Sequence, residues 1–365
     1  MVFQGARVAV LIPAYNEQAQ IGRVLKEIPD YVDDVVVVDD ASEDETASVV
    51  AASAREDGRI HLIAQDLNRG VGAAIAVAYA WARDNNVDVA VSLDADGQMD
   101  QRDMIHLISP IVEGKADLTK GNRLLSPPDW AHIPRVRLLG NAALSLLTKI
   151  ASGYWSVADS QSGFTAASRY ALDNIEWEKL YHGYGRPNDV LVRANVVNCR
   201  VADVPIRPIY GVGERSSMKI IKVVFTISLL LFRRFWWRMF HKYMLRDFHP
   251  LVFFYLLSVV TALGGALLGG RLIWLWIEDG RIPPINALAV AFLAITTLNS
   301  LFFAFWMDMQ VNAPLAVRLP EYFEVRAGVT ARKRSSGTRK ESVDRWAARS
   351  TKSARPPRSR RQTRP

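Results

Sequence analysis

The sequence predicts an α/β domain built on a parallel sheet with helices on both faces, followed by amphipathic interface helices and two membrane-crossing helices. Three observations carry that prediction. Strand-like and helix-like runs alternate over residues 6–119, as in a doubly wound sheet. Polar clusters follow three of the strand-like runs, and parallel strands bring such ends to one edge. Near the C-terminus, Leu251 to Gly270 and Ala287 to Met307 hold 20 and 21 residues without a charge, each long enough as a helix to cross a bilayer.

The elements follow in order. Arg7 to Ile12 reads as a buried strand closed by Pro13, and Asn16 is placed to cap a helix carrying Ile21, Val24, Leu25 and Ile28 at helical spacing. Val35 to Val38 is a second strand, ended by Asp39 and Asp40. Ser42 would cap a helix to about Arg55 whose first turn holds Glu43, Asp44 and Glu45, where the helix dipole favours acidic groups. Ile60 to Ile63 is a third strand, and Asn68-Arg69-Gly70-Val71-Gly72 opens an Ala-rich helix to about Arg83. The Gly70-x-Gly72 pair lacks the third glycine of a dinucleotide fingerprint and can equally serve close helix packing. Val89 to Leu93 is a fourth strand that runs into Asp94-Ala95-Asp96-Gly97-Gln98. A helix from Asp100 to about Glu113 and a strand from Ala116 to Thr119 complete the regular part.

Residues 120–218 are less regular. Ser126-Pro127-Pro128 marks a loop, Arg135 to Ile150 an amphipathic helix, and Asp159 to Phe164 a polar loop entering a short strand. Gly183 to Asp189 precedes an apolar helix, Val201 to Ile206 is a strand, and Gly211 to Lys219 is a basic loop rich in Gly and Ser.

Composition divides the rest. The single cysteine, Cys199, excludes an internal disulfide and a Cys-cluster metal site. The net charge of +8 is misleading: residues 330–365 carry 13 Lys and Arg against Glu341 and Asp344, a net +11, so the remainder sums to −3. Residues 328–365 therefore read as a basic, disordered tail suited to anionic lipid, and no nucleic-acid-binding module accompanies it. In residues 219–249, Arg233, Arg234, Arg238 and Lys242 interleave with Phe235, Trp236, Trp237 and Tyr243, which suits helices lying at a membrane surface. Residues 250–310 hold the two spans, about 251–276 and 287–307, and residues 1–218 the soluble domain. The first residues read as the approach to a strand rather than a cleaved leader. Two spans return the chain to its starting side, and the placement of Lys and Arg puts the soluble domain and tail in the cytoplasm of a multi-pass membrane protein.

Carboxylates at the carboxyl end of a sheet strand, followed by Gly and Gln, point to a hard divalent cation bridging protein and diphosphate, since Mg²⁺ commonly takes one or two carboxylates plus substrate phosphates. The same Asp-x-Asp is, read blandly, a polar turn. Around it stand Pro13-Ala14-Tyr15-Asn16-Glu17, Val38-Asp39-Asp40, Asn68 to Gly72, Gly121-Asn122-Arg123, Asp159-Ser160-Gln161-Ser162-Gly163-Phe164 and Ser216 to Lys219. Jointly and in this order, these residues resemble the family 2 glycosyltransferases of GT-A fold, specifically the dolichol- and polyprenol-phosphate mannose and glucose synthases, over roughly residues 6–219. The resemblance implies a GT-A (Rossmann-like) mixed, mainly parallel sheet and inverting transfer of a hexose from a nucleotide-diphosphate sugar to a polyprenyl phosphate.

It also implies roles. Pro13, Tyr15 and Glu17 would line the nucleotide pocket, Asp39 and Asp66 would accept hydrogen bonds from ribose or base, and Arg215 or Lys219 would close over the diphosphate. Asp96 and Gln98, with Asp94 nearby, would hold Mg²⁺ or Mn²⁺. Arg123, with Arg135 or Arg137, would hold the acceptor phosphate, for which the guanidinium fork is suited. Asp189 stands where related transferases keep a base. A phosphate acceptor, with a second pKa of about 6, needs no base, so there Asp189 would orient groups instead. Two alternatives remain: a membrane-anchored transferase acting on a lipid, sugar or protein hydroxyl, for which Asp189 would be obligatory, and a non-catalytic membrane adaptor that keeps a nucleotide-binding shape. Oligomeric state is not legible.

Overall fold

Among the described residues, eight strands form one sheet in the order β3-β2-β1-β4-β6-β5-β7-β8. The computed structural model describes residues 3, 5–125, 135–207, 209, 220–246 and 248–319. The strands are β1 (Val8–Ala14), β2 (Asp34–Asp39), β3 (Ile60–Ala64), β4 (Val89–Ser92), β5 (Leu118–Asn122), β6 (Thr165–Ser168), β7 (Val201–Pro205) and β8 (Ala316–Val317). The helices are α1 (Ile21–Lys26), α2 (Thr46–Glu56), α3 (Val71–Asp84), α4 (Met104–Val112), α5 (Arg135–Ser152), α6 (Arg169–Asn174), α7 (Arg186–Val196), α8 (Ile220–Arg238), α9 (Leu251–Asp279) and α10 (Pro284–Asn312).

The near-continuous Val, Ile and Leu of β1 and β2 leave no polar face, so these strands are covered on both sides, and all their residues are buried. β1 pairs in parallel with β2 and β4, with Ala14 opposite Asp39 and Leu11 opposite Ser92. β6 alone is reversed, antiparallel to both β4 and β5, while β5, β7 and β8 resume the parallel direction. The sheet is therefore mixed and mainly parallel, as expected. Under it, Tyr79 of α3 stacks on Trp177 with ring centroids 3.7 Å apart, and both side chains are buried.

Two helix starts differ from the sequence reading. Ser42 does not cap a helix: its hydroxyl donates to the Asp39 carboxylate and accepts from the Asn16 amide, so α2 begins only at Thr46 and the three acidic residues precede it. Asn16 likewise caps nothing; it adopts φ +55° and its Oδ1 accepts from Glu43 N at 2.8 Å. Local polar groups here join two loops at the sheet edge instead of starting helices.

After β7, the chain enters α8, continues through a π-helical stretch, Met239–Arg246, and then forms an antiparallel hairpin of α9 and α10. Each hairpin helix has 29 residues, about 43 Å of helix, and the connection is only Gly280–Pro283, shorter than the loop read from the sequence. Gly265 and Gly269 of α9 pack against Leu293 and Val290 of α10, and Thr297 Oγ1 donates to Thr261 Oγ1 at 2.8 Å. Small residues and hydroxyls at the contact are how apolar helices associate in lipid. Their outer faces expose large apolar side chains, including Leu263, Leu267, Ile277, Leu288, Phe292 and Phe302.

The hairpin is tied to the α/β domain by a buried polar network. Arg238 Nη2 lies 2.9 Å from Asp308 Oδ2, Tyr243 donates to Asp308 Oδ1 at 3.0 Å, and Lys242 Nζ donates to Asn195 Oδ1 and Asn312 Oδ1 at 2.9 and 3.0 Å. Beyond α10 the chain returns to the sheet, where β8 pairs with β7. The start of α9 packs on Met239 and Tyr243 of the π-helical stretch, and the end of α10 reaches Asn195 of α7.

Candidate active site

The carboxyl ends of β1, β2 and β4 are neighbours, so three clusters distant in sequence share one edge. Pro13 ends inside β1, and just beyond it Tyr15 is 42% exposed, a ring face open to a ligand. Glu17 follows, its amide donating to Thr46 Oγ1 at 2.8 Å. Burial, and then the charges of Asp96, Asp44 and Asp94, push the Glu17 carboxyl above its ordinary value. Asp39 closes β2, buried and bonded to Ser42. Asp66 stands exposed past the end of β3.

Asp94 and Asp96 follow β4 with partly exposed side chains. Asp96 Oδ1 accepts from the Gln98 amide at 2.9 Å, which folds the turn back on itself, and the Gln98 carbonyl accepts from Ile209 N at 2.9 Å. Among the described residues no set of three or more acidic, His or Cys side chains forms a cage for a metal. What stands here is a pair of carboxylates beside an acid whose protonation their charge favours. That arrangement fits a hard cation completed by diphosphate oxygens and water, and it does not fit an all-protein site.

On the other side of β6, Arg123 leaves β5. Its Nε and Nη2 meet the two oxygens of Asp159 at 2.7 and 3.0 Å, and its amide approaches the same carboxylate at 3.2 Å. The Asp159 carboxyl is itself buried, which opposes ionisation, but Arg123 and Lys120 outweigh burial and hold it below the ordinary carboxylate value. The loop it belongs to runs on to Gly163, where a Cβ would lie 3.0 Å from Asp94 Oδ2 and 3.1 Å from Arg186 Nη2. One loop thus touches both the β4 carboxylate and the arginine after β5.

Asp189 is not at the opening. It is fully buried on α7, with Tyr181 N at 2.9 Å, Arg193 Nε at 3.2 Å and Arg234 Nε at 2.6 Å, so its oxygens fasten α7 to α8. Asp40 serves the backbone: it accepts from Arg69 N and Gly70 N at 2.9 and 2.7 Å and shapes the turn before α3. The Gly70 and Gly72 pair is a packing device, because Gly72 N donates to His182 O at 3.0 Å and any Cβ on Gly72 would strike the Tyr181–His182 backbone. Arg135 and Arg137 fall in α5, but their side chains, with all of Arg215, Lys219 and the tail, lie outside the described residues.

Sequence reasoning passed over Lys120 and Arg186. Lys120 is 1% exposed in the middle of β5, and Arg186, 7% exposed, places Nη2 3.7 Å from Asp94 Oδ1. A lysine inside an otherwise buried strand was the available signal for the first. The second needed the fold, since 92 positions separate Arg186 from Asp94.

Comparison with known proteins agrees with this geometry. Residues 9–176 match the family model described as glycosyl transferase family 2. The chain is 30% identical over 214 residues to the UDP-N-acetylglucosamine–dolichyl-phosphate N-acetylglucosaminyltransferase of Methanococcus voltae, a match covering 55% of this chain and 85% of that protein. It is 30% identical over 205 residues to the undecaprenyl-phosphate mannosyltransferase of Micrococcus luteus, covering 55% and 82%. The polyprenol monophosphomannose synthase of Mycolicibacterium smegmatis is 28% identical over 231 residues, covering 61% and 86%. Sheet order, acidic edge and relatives together place the chain in glycosyltransferase family 2, and it is a glycosyltransferase.

Proposed function

We propose that this protein transfers a hexose from a nucleotide-diphosphate sugar to a polyprenyl phosphate at the membrane surface, with inversion at the anomeric carbon. One observation carries the reading. The acidic turn after β4 and the Arg123–Asp159 pair stand at the same end of one sheet, on either side of β6, on a domain to which an apolar hairpin is fastened through buried charges. A soluble donor and a lipid-bound acceptor would each find its charge partner there. The named activities of the relatives support the same class of acceptor.

In this reading the nucleotide lies across the ends of β1 and β2, with its base on Tyr15 and its hydroxyls toward Asp39 and Asp66; Pro13 and Glu17 line that pocket. Asp96 and Gln98, with Asp94 beside them, would hold a divalent cation, Mg²⁺ or Mn²⁺. The cation, when bound, neutralises the charge that grows on the nucleoside-diphosphate leaving group. Arg123 meets the acceptor phosphate, already oriented by Asp159; Arg135 or Arg137 would assist, and Arg215 or Lys219 would close over the donor. No base is required, because the acceptor phosphate is ionised at neutral pH. The burial of Asp189 among two arginines argues against a hydroxyl acceptor served by that carboxylate, and the intact acidic edge argues against a non-catalytic adaptor. The α/β domain and the tail would lie on the cytoplasmic side, with the tail against anionic lipid.

The test is transfer of label from a panel of UDP- and GDP-hexoses to polyprenyl phosphate in membranes carrying the protein, scored as lipid-extractable label. Asp96→Ala should lower transfer by about 10³-fold or more, in keeping with the loss of a principal electrostatic contact to developing charge, and a chelator should do the same to the wild type. Undiminished transfer by Asp96→Ala would sink the assignment.

A further inference from the structure

We propose that Lys120 is a positioning residue for the acceptor: it holds the Asp159–Phe164 loop from inside the sheet and thereby keeps Arg123 aligned with the donor carboxylate Asp94. The inference rests on the transfer reaction proposed above and assigns a residue to it.

The loop has three attachments. At its start, Asp159 grips Arg123 through two hydrogen bonds of 2.7 and 3.0 Å. Near its end, Gly163 passes close enough to Asp94 that a side chain there would stand 3.0 Å from the carboxylate. Phe164 then joins the sheet edge, its carbonyl accepting from Gly121 N at 2.8 Å. Between these points the loop is held by the Lys120 ammonium, which donates to the Ser162 carbonyl. Ser162 and Gly163 border the core side chains of Ile75, Tyr79, Leu118 and Leu191 across a small gap. Ser92, Lys120, Thr165 and Arg186 also line it. Arg186 Nη1 finds no hydrogen-bond partner there. Where the loop faces that gap it has fewer van der Waals contacts than close packing supplies, and the hydrogen bond from Lys120 to Ser162 is its polar anchor there.

Charge supports the same role. An ammonium is costly to bury unless it is paired. The charges of Asp159 of the loop and Asp203 of β7 favour the Lys120 ammonium, while those of Arg123 and Arg186 oppose it. Burial dominates and lowers the Lys120 ammonium to about 8. The device therefore carries its charge at neutral pH and loses it in mildly alkaline solution. An acceptor phosphate with a second pKa of about 6 does not titrate in that range, so the two events are separable.

The experiment is steady-state transfer to undecaprenyl phosphate in membranes holding the full chain, with donor saturating, for the wild type and for Lys120→Met, which keeps the length of the side chain and removes its charge. The expected result is an acceptor KM raised on the order of tenfold, the scale of one hydrogen bond to a charged group. The affinity for nucleoside diphosphate, measured by calorimetry, should stay within about twofold of wild type by the same reasoning, since the donor pocket keeps its contacts. In the wild type, kcat/KM for the acceptor should fall as pH rises through about 8, and Lys120→Met should lack that limb. An unchanged acceptor KM, or an equal loss of nucleotide affinity, would overturn the role of Lys120. If Lys120→Met does not fold, the wild-type profile decides by itself: kcat/KM level across that range overturns the inference. A wild type that transfers nothing to polyprenyl phosphate would instead overturn the proposed function, and this inference with it.

Discussion

Asp189 shows how one residue's surroundings decide its role. The resemblance put Asp189 where related transferases keep a base, as a base or an orienting group; in the structure its two oxygens meet Tyr181 N, Arg193 and Arg234. Asp189→Asn should therefore act first on stability, by about 3 kcal/mol, because removing one partner leaves buried cations unmatched. A thermal melt in detergent checks this, and a variant of unchanged stability that transfers no sugar would restore the catalytic reading. Lys120 and Asp203 make a second prediction at this scale. Burial pushes Asp203 up to about 6, so the folded state binds the extra proton and the stability it contributes is lost as pH rises through 6. Burial pushes Lys120 down to about 8, so between there and its ordinary 10.5 the unfolded chain holds more protons and stability rises with pH. The pair therefore contributes least between pH 6 and 8, where both are charged. The melting midpoint should show a shallow minimum there, and Asp203→Asn should flatten its acidic side.

At the scale of elements, α3 is placed by a glycine rather than by a ligand. Gly72 brings the first turn of α3 against Tyr181 and His182, just ahead of the segment that carries Arg186 to Asp94. Gly72→Ala should cost about 1–3 kcal/mol, the range for forcing atoms into a packed contact, because the obstruction is backbone and cannot rotate away. Protection of the Gly72-to-His182 hydrogen bond against amide exchange should drop with it; an unchanged melt and unchanged exchange would refute the packing account. The periodicities of β1, β2, β3, α3 and β4 were legible because each is a local apolar pattern. The late start of α2 was not, since Ser42 chose Asp39 and Asn16 over a helix end.

For the whole molecule, the decisive feature is how the hairpin meets the α/β domain. Arg238, Lys242, Tyr243, Asp308, Asn195 and Asn312 form a junction with almost no exposure, and the backbone then returns to add β8. Asp308→Ala would leave Arg238 buried without its partner, a loss of about 3–5 kcal/mol. The variant should still fractionate with membranes, because α9 and α10 keep their apolar length, while its melting midpoint and its transfer to lipid-bound acceptor fall together. Retention of full activity by a destabilised Asp308→Ala would show that the junction does not serve catalysis.

The sequence by itself determined the α/β alternation, the acidic edge, the two long apolar helices and, through motifs in a fixed order, the glycosyltransferase family. All of these are either local patterns or consequences of parallel strands sharing an edge. Tertiary structure alone decided the reversal of β6, the return of the chain as β8, the clamp of Asp159 on Arg123, the approach of Arg186 to Asp94 and the withdrawal of Asp189 into the α7–α8 contact. The physical reason is common to these. A buried charge takes its role from the partner that compensates it, and a short strand from the neighbour that pairs with it. Those partners lie 36 to 115 positions away in the chain, with no spacing that would announce them.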